Sequence, residues 1–386
     1  MKICVISSLY KPYSKGGAER VVEAIVNGLR EKGNEVLVVT TGHNFMHGKI
    51  SLTPPLRKGG TNVIRFYPWN LFWFGDIDKK PIWLRLPWHI IDTFNLYAYF
   101  KIKEILKKEK PDVVMTHNLK GMGYIVPRAI RVCGIKHIHT VHDVQLVEPS
   151  GVLYQNRKRL NTPPSTSSLQ YGLPAQAGGQ AGQALAPLKK GYKWINKKLF
   201  GSPDIVISPS KWLMDFYVNR GFFTKSRKLV IGNPVPSLVP LFKKEGKGEV
   251  KEKKSILNKK GIGVINLLYI GQIEEHKGIF FLVNTIKNLK NIHLNIIGTG
   301  TKLNRIKTLC EDFNNIKIHG FIENKAVNNF IVQSDFVIVP SLCAENAPTV
   351  IYESFACGVP VIASNVGGIP ELVKNGYNGY IFEAGN

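Results

Sequence analysis

Two hydrophobic periods alternate along the chain. Ile3-Cys-Val-Ile6 is a short unbroken apolar run that predicts a buried strand. Ala18, Val21, Val22, Ile25 and Leu29 then recur at helical spacing, and Gly33 predicts the end of that helix. Glu35-Val-Leu-Val-Val39 predicts the next strand, and the alternation continues through Asp112-Val-Val-Met115, Lys136-His-Ile-His139 and Asp204-Ile-Val-Ile207. A second series runs through Asn266-Leu-Leu-Tyr-Ile270, His293-Leu-Asn-Ile-Ile297, Ile316-Lys-Ile318, Asp335-Phe-Val-Ile-Val339 and Val359-Pro-Val-Ile-Ala363. Strands alternating with helices predict the α/β class: two Rossmann-like domains with parallel, doubly wound sheets, facing each other across a cleft.

The pattern breaks in three places. Asn233-Pro-Val-Pro236 opens a stretch rich in lysine and glycine that reaches Gly263, a linker by composition. The domains are therefore expected at 1–232 and 264–386, joined by 233–263. Residues 161–188 are rich in Pro, Gly, Ala and Gln and predict a low-complexity insertion. Residues 66–88 hold Trp69, Trp73, Trp83 and Trp88, four of the six tryptophans. Two readings of that stretch stay open: a basic-aromatic surface for a membrane or an acceptor, or a loop that packs its rings on its own domain.

A length of 386 residues is enough for two hydrophobic cores. The 44% hydrophobic and 20% charged content excludes a disordered chain. The cysteines at 4, 133, 310, 343 and 357 have neither paired nor metal-type spacing, which favours a reducing compartment. No signal peptide is expected, because the apolar run after Lys2 is short. Residues 82–100 contain Arg85, Pro87, His89 and Asp92 and do not make a membrane span. The expected location is cytoplasmic, with a peripheral seat at the inner face of the membrane left open. A net charge of +25 calls for an anionic partner, either an acidic membrane surface or a phosphorylated small molecule. No nucleic-acid motif accompanies the lysine runs, and they read as solvated faces.

Parallel sheets bind ligands at the C-terminal ends of their strands. After the first strand, Lys15-Gly-Gly-Ala-Glu-Arg20 opens a helix, so Gly16 and Gly17 allow a ligand close to the backbone and Gly17 lies at a helix start that favours an anion. His142-Asp143 lies just past another strand. Gly271-Gln-Ile-Glu-Glu-His-Lys-Gly278 follows the first strand of the second series and places Lys277 before a helix, while Gly298-Thr-Gly300 repeats the glycine-turn logic more weakly. In the segment Cys343 to Asn365, Pro348 suits the first helical position. The amides of Thr349 and Val350 would then point out of the helix start toward phosphate oxygens. Glu345 would lie before that helix and Glu353 more than a turn inside it. Two carboxylates straddling a diphosphate suit a nucleotide with a sugar on each side.

These segments together resemble the retaining glycosyltransferases of family 4, which have the GT-B fold and a Glu-x7-Glu motif. The resemblance is carried by Gly-Gly-Ala-Glu-Arg, His-Asp, Lys-Gly, Glu-x7-Glu and Gly367-Gly-Ile-Pro-Glu371. It extends from Ile3 to Phe382, apart from 66–88 and the insertion. It implies a hexosyltransferase of polysaccharide biosynthesis that takes a nucleotide sugar as donor and a glycan or lipid-linked acceptor, needing no metal or other cofactor. It also implies that His142, Lys277 and Glu345 form the catalytic set. His142 would line the sugar pocket, Lys277 would bind the diphosphate, Glu345 the sugar hydroxyls and Glu353 the ribose. The donor would further touch Gly16, Gly17, Gln272, Asn346, Ala347, Thr349 and Val350. Gln272 stands where the family usually has arginine. Family members usually continue for several helices, so further helices are expected after Asn386. A non-catalytic nucleotide-sugar-binding protein and a nucleotide-sugar epimerase of similar fold remain as rival readings.

Overall fold

A computed structural model describes residues 1–14, 16–43, 51–53, 62–153, 186–235 and 263–386. The predicted linker lies outside the described residues except at 233–235 and Gly263. So does most of the predicted insertion, although a helix, Ala186–Phe200, begins within its last residues. The chain divides into two compact units with a boundary at Pro234.

The first unit is built on an eight-stranded sheet with the order β3-β4-β2-β1-β5-β6-β7-β8. The strands are β1 (Lys2–Ile6), β2 (Glu35–Thr41), β3 (Ser51–Thr53), β4 (Asn62–Phe66), β5 (Val113–Thr116), β6 (Lys136–Thr140), β7 (Ile205–Ser208) and β8 (Arg227–Val230). All pairings are parallel except β3 with β4. β1 pairs with β2 on one side, Ile3 beside Val36, and with β5 on the other, Ile3 beside Val113. The second unit holds a six-stranded parallel sheet, β11-β10-β9-β12-β13-β14. Its strands are β9 (Ile265–Ile270), β10 (Ile292–Ile297), β11 (Ile316–Gly320), β12 (Phe336–Val339), β13 (Val361–Ser364) and β14 (Gly379–Phe382).

Parallel strands are covered on both faces, so their residues alternate between two cores rather than between core and water. In the second sheet Leu267, Tyr269, Leu294 and Ile296 enter one cluster, and Leu268, Ile297, Val337 and Val339 enter the other. All ten strands predicted from apolar runs are present. The strands β3, β4, β8 and β14 were not expected. β8 reads Arg-Lys-Leu-Val and is largely exposed, so burial never wrote an apolar run into it.

The strand orders mark where a ligand is expected. Each sheet reverses its winding direction once, between β1 and β5 in the first unit and between β9 and β12 in the second. Ligands of open α/β sheets gather at such points, beyond the strand ends, where successive connections leave on opposite faces and open a crevice. The loops that flank these reversals carry most of the predicted site residues.

Residues 66–88 pack two of their four tryptophans on their own domain. Trp73 and Trp88 are buried, and their indole N–H groups donate to Thr41 Oγ1 at 2.9 Å and to the Phe72 carbonyl at 2.7 Å. Trp69 and Trp83 are exposed.

Candidate functional site

In the second unit the loop after β9 ends in a single turn of 3-10 helix, Glu275–Lys277. Gly278 follows with φ +75°, and a Cβ there would sit 1.8 Å from the Pro340 carbonyl oxygen. Only glycine lets this loop press on the loop after β12. The Leu342 N–H donates to the His276 carbonyl at 2.9 Å and fastens the two loops together. Lys277 and Glu345 are thereby set opposite one another, Nζ to Oε1, at 2.6 Å. Ser341 Oγ donates to the same carboxylate oxygen at 2.8 Å. Burial pushes the Glu345 carboxyl up, but Lys277 and Ser341 together outweigh it and hold the carboxyl below its ordinary value.

The backbone of Glu345 rests on the Gly367-Gly368 turn. Gly368 N–H donates to the Glu345 carbonyl at 2.7 Å. Gly367 has φ +60°, and a Cβ there would lie 2.0 Å from that same oxygen. The helix Thr349–Ala356 starts just beyond, with Pro348 as its N-cap at φ −57°, ψ 125°. This corrects the expectation that Pro348 is the first helical residue. The ring stands one position earlier, where it ends the loop, and Thr349 and Val350 are the first two helical residues. Glu353, one turn in, is almost fully buried. Asn346 is half-buried and Ala347 is buried in the connecting loop. Gln272 is exposed on the loop after β9, where its carbonyl accepts the Tyr269 hydroxyl at 2.6 Å.

In the first unit Gly16 is the N-cap of helix α1 (Gly17–Glu31), and its N–H donates to Glu19 Oε2 at 2.9 Å. Gly17 is the first helical residue, at the anion-favouring end. His142 and Asp143 follow β6. His142 Nε2 lies 3.0 Å from His117 Nδ1, so one ring carries the proton it donates to the other. Burial lowers both imidazoles, His142 to about 4 and His117 well below its ordinary value, and both are neutral at neutral pH. Burial raises the Asp143 carboxyl to about 6; the Gln145 N–H and Lys120 oppose the shift and the Glu19 charge adds to it. A pocket of about 20 Å³ beside His117 and His142 has room for a water molecule.

The structure thus joins Lys277 to Glu345 in the second unit and His117 to His142 in the first. Several supporting residues lacked a sequence signal strong enough to single them out. His117 follows β5 directly, as His142 follows β6 two residues on, so the strand-end rule could have found it. Ser341 carried no signal. Glu274 is buried and accepts the Thr301 N–H at 2.6 Å and its hydroxyl at 2.9 Å, holding the Gly298-Thr-Gly300 turn. That turn packs on the loop after β9, since a Cβ on Gly298 would meet the Gly271 carbonyl at 1.8 Å. Among the described residues, no group of three or more His, Cys, Asp or Glu is placed to hold a metal ion.

Comparison with known proteins adds a family. A model described as Glycosyltransferase Family 4 matches residues 15–237, and one described as Glycosyl transferases group 1 matches residues 250–386. An uncharacterised 42.6 kDa protein of the cps region of Klebsiella pneumoniae is 26% identical over 386 residues, covering 99% of this chain and 90% of the relative. An amylovoran biosynthesis glycosyltransferase of Erwinia amylovora is 27% identical over 134 residues, 32% of this chain and 33% of the relative. A sucrose-phosphate synthase of Thermosynechococcus elongatus superposes with a TM-score of 0.67 at 18% identity, covering all of this chain and 86% of that one. An Anabaena protein solved with UDP-glucose superposes at 0.61 and 16% identity, again over all of this chain and 86% of that one. These two solved structures share the GT-B architecture of two Rossmann-like domains, and this chain has the same fold.

Proposed function

The chain belongs to glycosyltransferase family 4, and from that premise we propose that it moves a hexose-type sugar from a nucleotide-sugar donor to a glycan or lipid-linked acceptor, with retention at the anomeric carbon. The observation that carries this reading is the Lys277–Glu345 pair at the start of the helix Thr349–Ala356, with Glu353 buried one turn inside. A diphosphate is the ligand that uses all three features. Its oxygens take the ammonium of Lys277 and the amides of the first helical turn. The carboxylates, which would repel a bare phosphate, accept hydroxyls: Glu345 from the sugar, Glu353 from the ribose.

The chemistry follows from those roles. The acceptor hydroxyl attacks the anomeric carbon on the face from which the nucleoside diphosphate departs. The bond to the diphosphate oxygen breaks, and the hydroxyl proton passes to that oxygen. Lys277 and the helix amides steady the charge that develops on the leaving group, which is the role a metal ion would otherwise fill. Gln272 brings no charge of its own, so Lys277 carries the larger share of the electrostatic work.

The relative in amylovoran biosynthesis, with the relative from a cps region beside it, supports a polysaccharide product. The Anabaena complex makes UDP-glucose the first donor to try. The test is a thermal-shift screen of UDP, GDP and ADP sugars, followed by turnover with the stabilising donor and magnetic-resonance assignment of the product anomer. A ligand at a hundred times its Kd should add about 2.7 kcal/mol of stability. Turnover is expected to persist in EDTA. An inverted anomer, or donor converted without any acceptor, overturns the reading.

A further inference from the structure

Helix α2 (Ile82–Thr93) buries Trp88 but carries polar side chains on the same inner face. Arg85 and Asp92 are buried, at 5% and 2% exposure, while Trp83, at 72%, Leu86 and Ile90 face solvent, with Phe94 at the C-cap. The inward polar groups are satisfied. Arg85 Nε donates to the Lys80 carbonyl at 2.8 Å, and both Asp92 oxygens accept the Gly121 N–H, at 2.9 and 3.0 Å. Burial lowers the His89 imidazole, on the same inner side, to about 2, so it packs there uncharged. The helix has spent its hydrogen-bonding side chains on the protein and left an apolar stripe outside.

Helix α3 (Leu96–Glu109) extends this surface. Leu96 and Phe100 are exposed, and Trp69, also exposed, stacks on Tyr97 with ring centroids 5.2 Å apart. Leu96, Phe100, Lys103 and Lys107 are spaced as one helical stripe, so it turns from apolar to basic along its length. Lys79, exposed and paired with Asp76 at 3.1 Å, lies just before α2.

We propose that α2 and the start of α3 form a docking surface for a bilayer that carries anionic lipids. The apolar stripe enters the level between headgroups and acyl chains, Trp69 and Trp83 sit at the interface, and Lys79, Lys103 and Lys107 meet lipid phosphates. A second copy of this chain is the less suitable occupant, because a net charge of +25 on each copy opposes association. The seat is superficial: no helix among the described residues is long and apolar enough to cross a membrane. The proposal stands on the surface alone and is independent of the donor site.

Flotation with vesicles of phosphatidylcholine, with and without a third of phosphatidylglycerol, tests it. The full chain should float with the anionic vesicles, and less in high salt. Ile90→Glu with Phe100→Glu should lower the partition coefficient at least about tenfold, with the melting temperature kept because both side chains are already exposed. Lys103→Glu with Lys107→Glu should lower it by a similar factor on anionic vesicles only. Should the apolar double variant fail to fold, brominated acyl chains must still quench the wild-type tryptophan emission. A wild-type chain that does not float, a double variant that floats as well as wild type, or unquenched tryptophans would overturn the proposal. It would equally be overturned by a wild-type dimer in light scattering that the apolar variant abolishes while vesicles bind neither form.

Discussion

Glu345→Gln removes one negative charge and keeps the size of the side chain. In the unliganded protein it leaves Lys277 without the carboxylate that now stands 2.6 Å away. The two side chains are 16% and 25% exposed, which places the pair between two known regimes. Exposed pairs contribute about 0–1 kcal/mol, while breaking a fully buried pair costs about 3–5 kcal/mol. A loss of about 1–2 kcal/mol is therefore expected, read as a melting temperature lower by a few degrees. Nucleotide reverses the sign. A bound diphosphate brings its own charge to Lys277, and in the variant it no longer competes with Glu345 for that ammonium. The destabilisation of the unliganded state is then recovered on binding, and Kd for a nucleoside diphosphate should fall about 5–30-fold. Turnover should fall at the same time, since Glu345 is the carboxylate assigned to the sugar. Calorimetric titration with UDP, GDP and ADP and melting curves with and without nucleotide are the assay. An unchanged melting temperature in the unliganded variant, or weaker nucleotide binding, would refute this account of the pair.

Gly367→Ala should displace Glu345, because its Cβ meets the Glu345 carbonyl at 2.0 Å from a left-handed backbone. Gly376→Ala, at φ +72° with nothing within 4 Å, has the backbone strain alone, about 1 kcal/mol. Gly367→Ala should therefore melt lower than Gly376→Ala and bind nucleotide at least about tenfold more weakly; equal behaviour of the two would deny the Gly367 turn its role. The first unit should also be acid-sensitive. Burial lowers His89, His117, His137, His139 and His142, to about 2, 3 and 4 for His89, His137 and His142. Their neutral folded forms contribute full stability above the ordinary histidine value of about 6.5 and lose it as pH falls toward 4, where the unfolded chain binds more protons. Asp92 and Asp143, raised by burial to about 7 and about 6, run the other way and gain on acidification. Five histidines against two carboxylates leave a net loss on the order of 2–4 kcal/mol per pH unit. Denaturant titrations at pH 7 and pH 5 measure it, and equal stability at the two values would contradict the burial of these rings.

The alternation of apolar runs was sufficient to reveal both sheets, because a strand covered on two faces must be apolar along its whole length. β1 and β9 are of that kind. Where burial is partial the signal fades, and so β8 was invisible, while the antiparallel edge strand β3 is only three residues long. The positions of Lys277, Glu345, Glu353 and His142 were also legible, since strand ends and helix starts are local features that carry their own residue types. Tertiary structure alone decided which of them meet. Lys277 and Glu345 are 68 residues apart in the chain, and their 2.6 Å contact depends on β9 and β12 being neighbours at the winding reversal and on Gly278 lacking a Cβ. His117 and His142 likewise meet because β5 and β6 pair. The same division explains α2. In the sequence Arg85, His89 and Asp92 served only to exclude a membrane span; that two of them point inward was decided by the carbonyl of Lys80 and the amide of Gly121. A one-dimensional pattern records that a helix has two faces. Only the partners available in three dimensions determine which face water keeps.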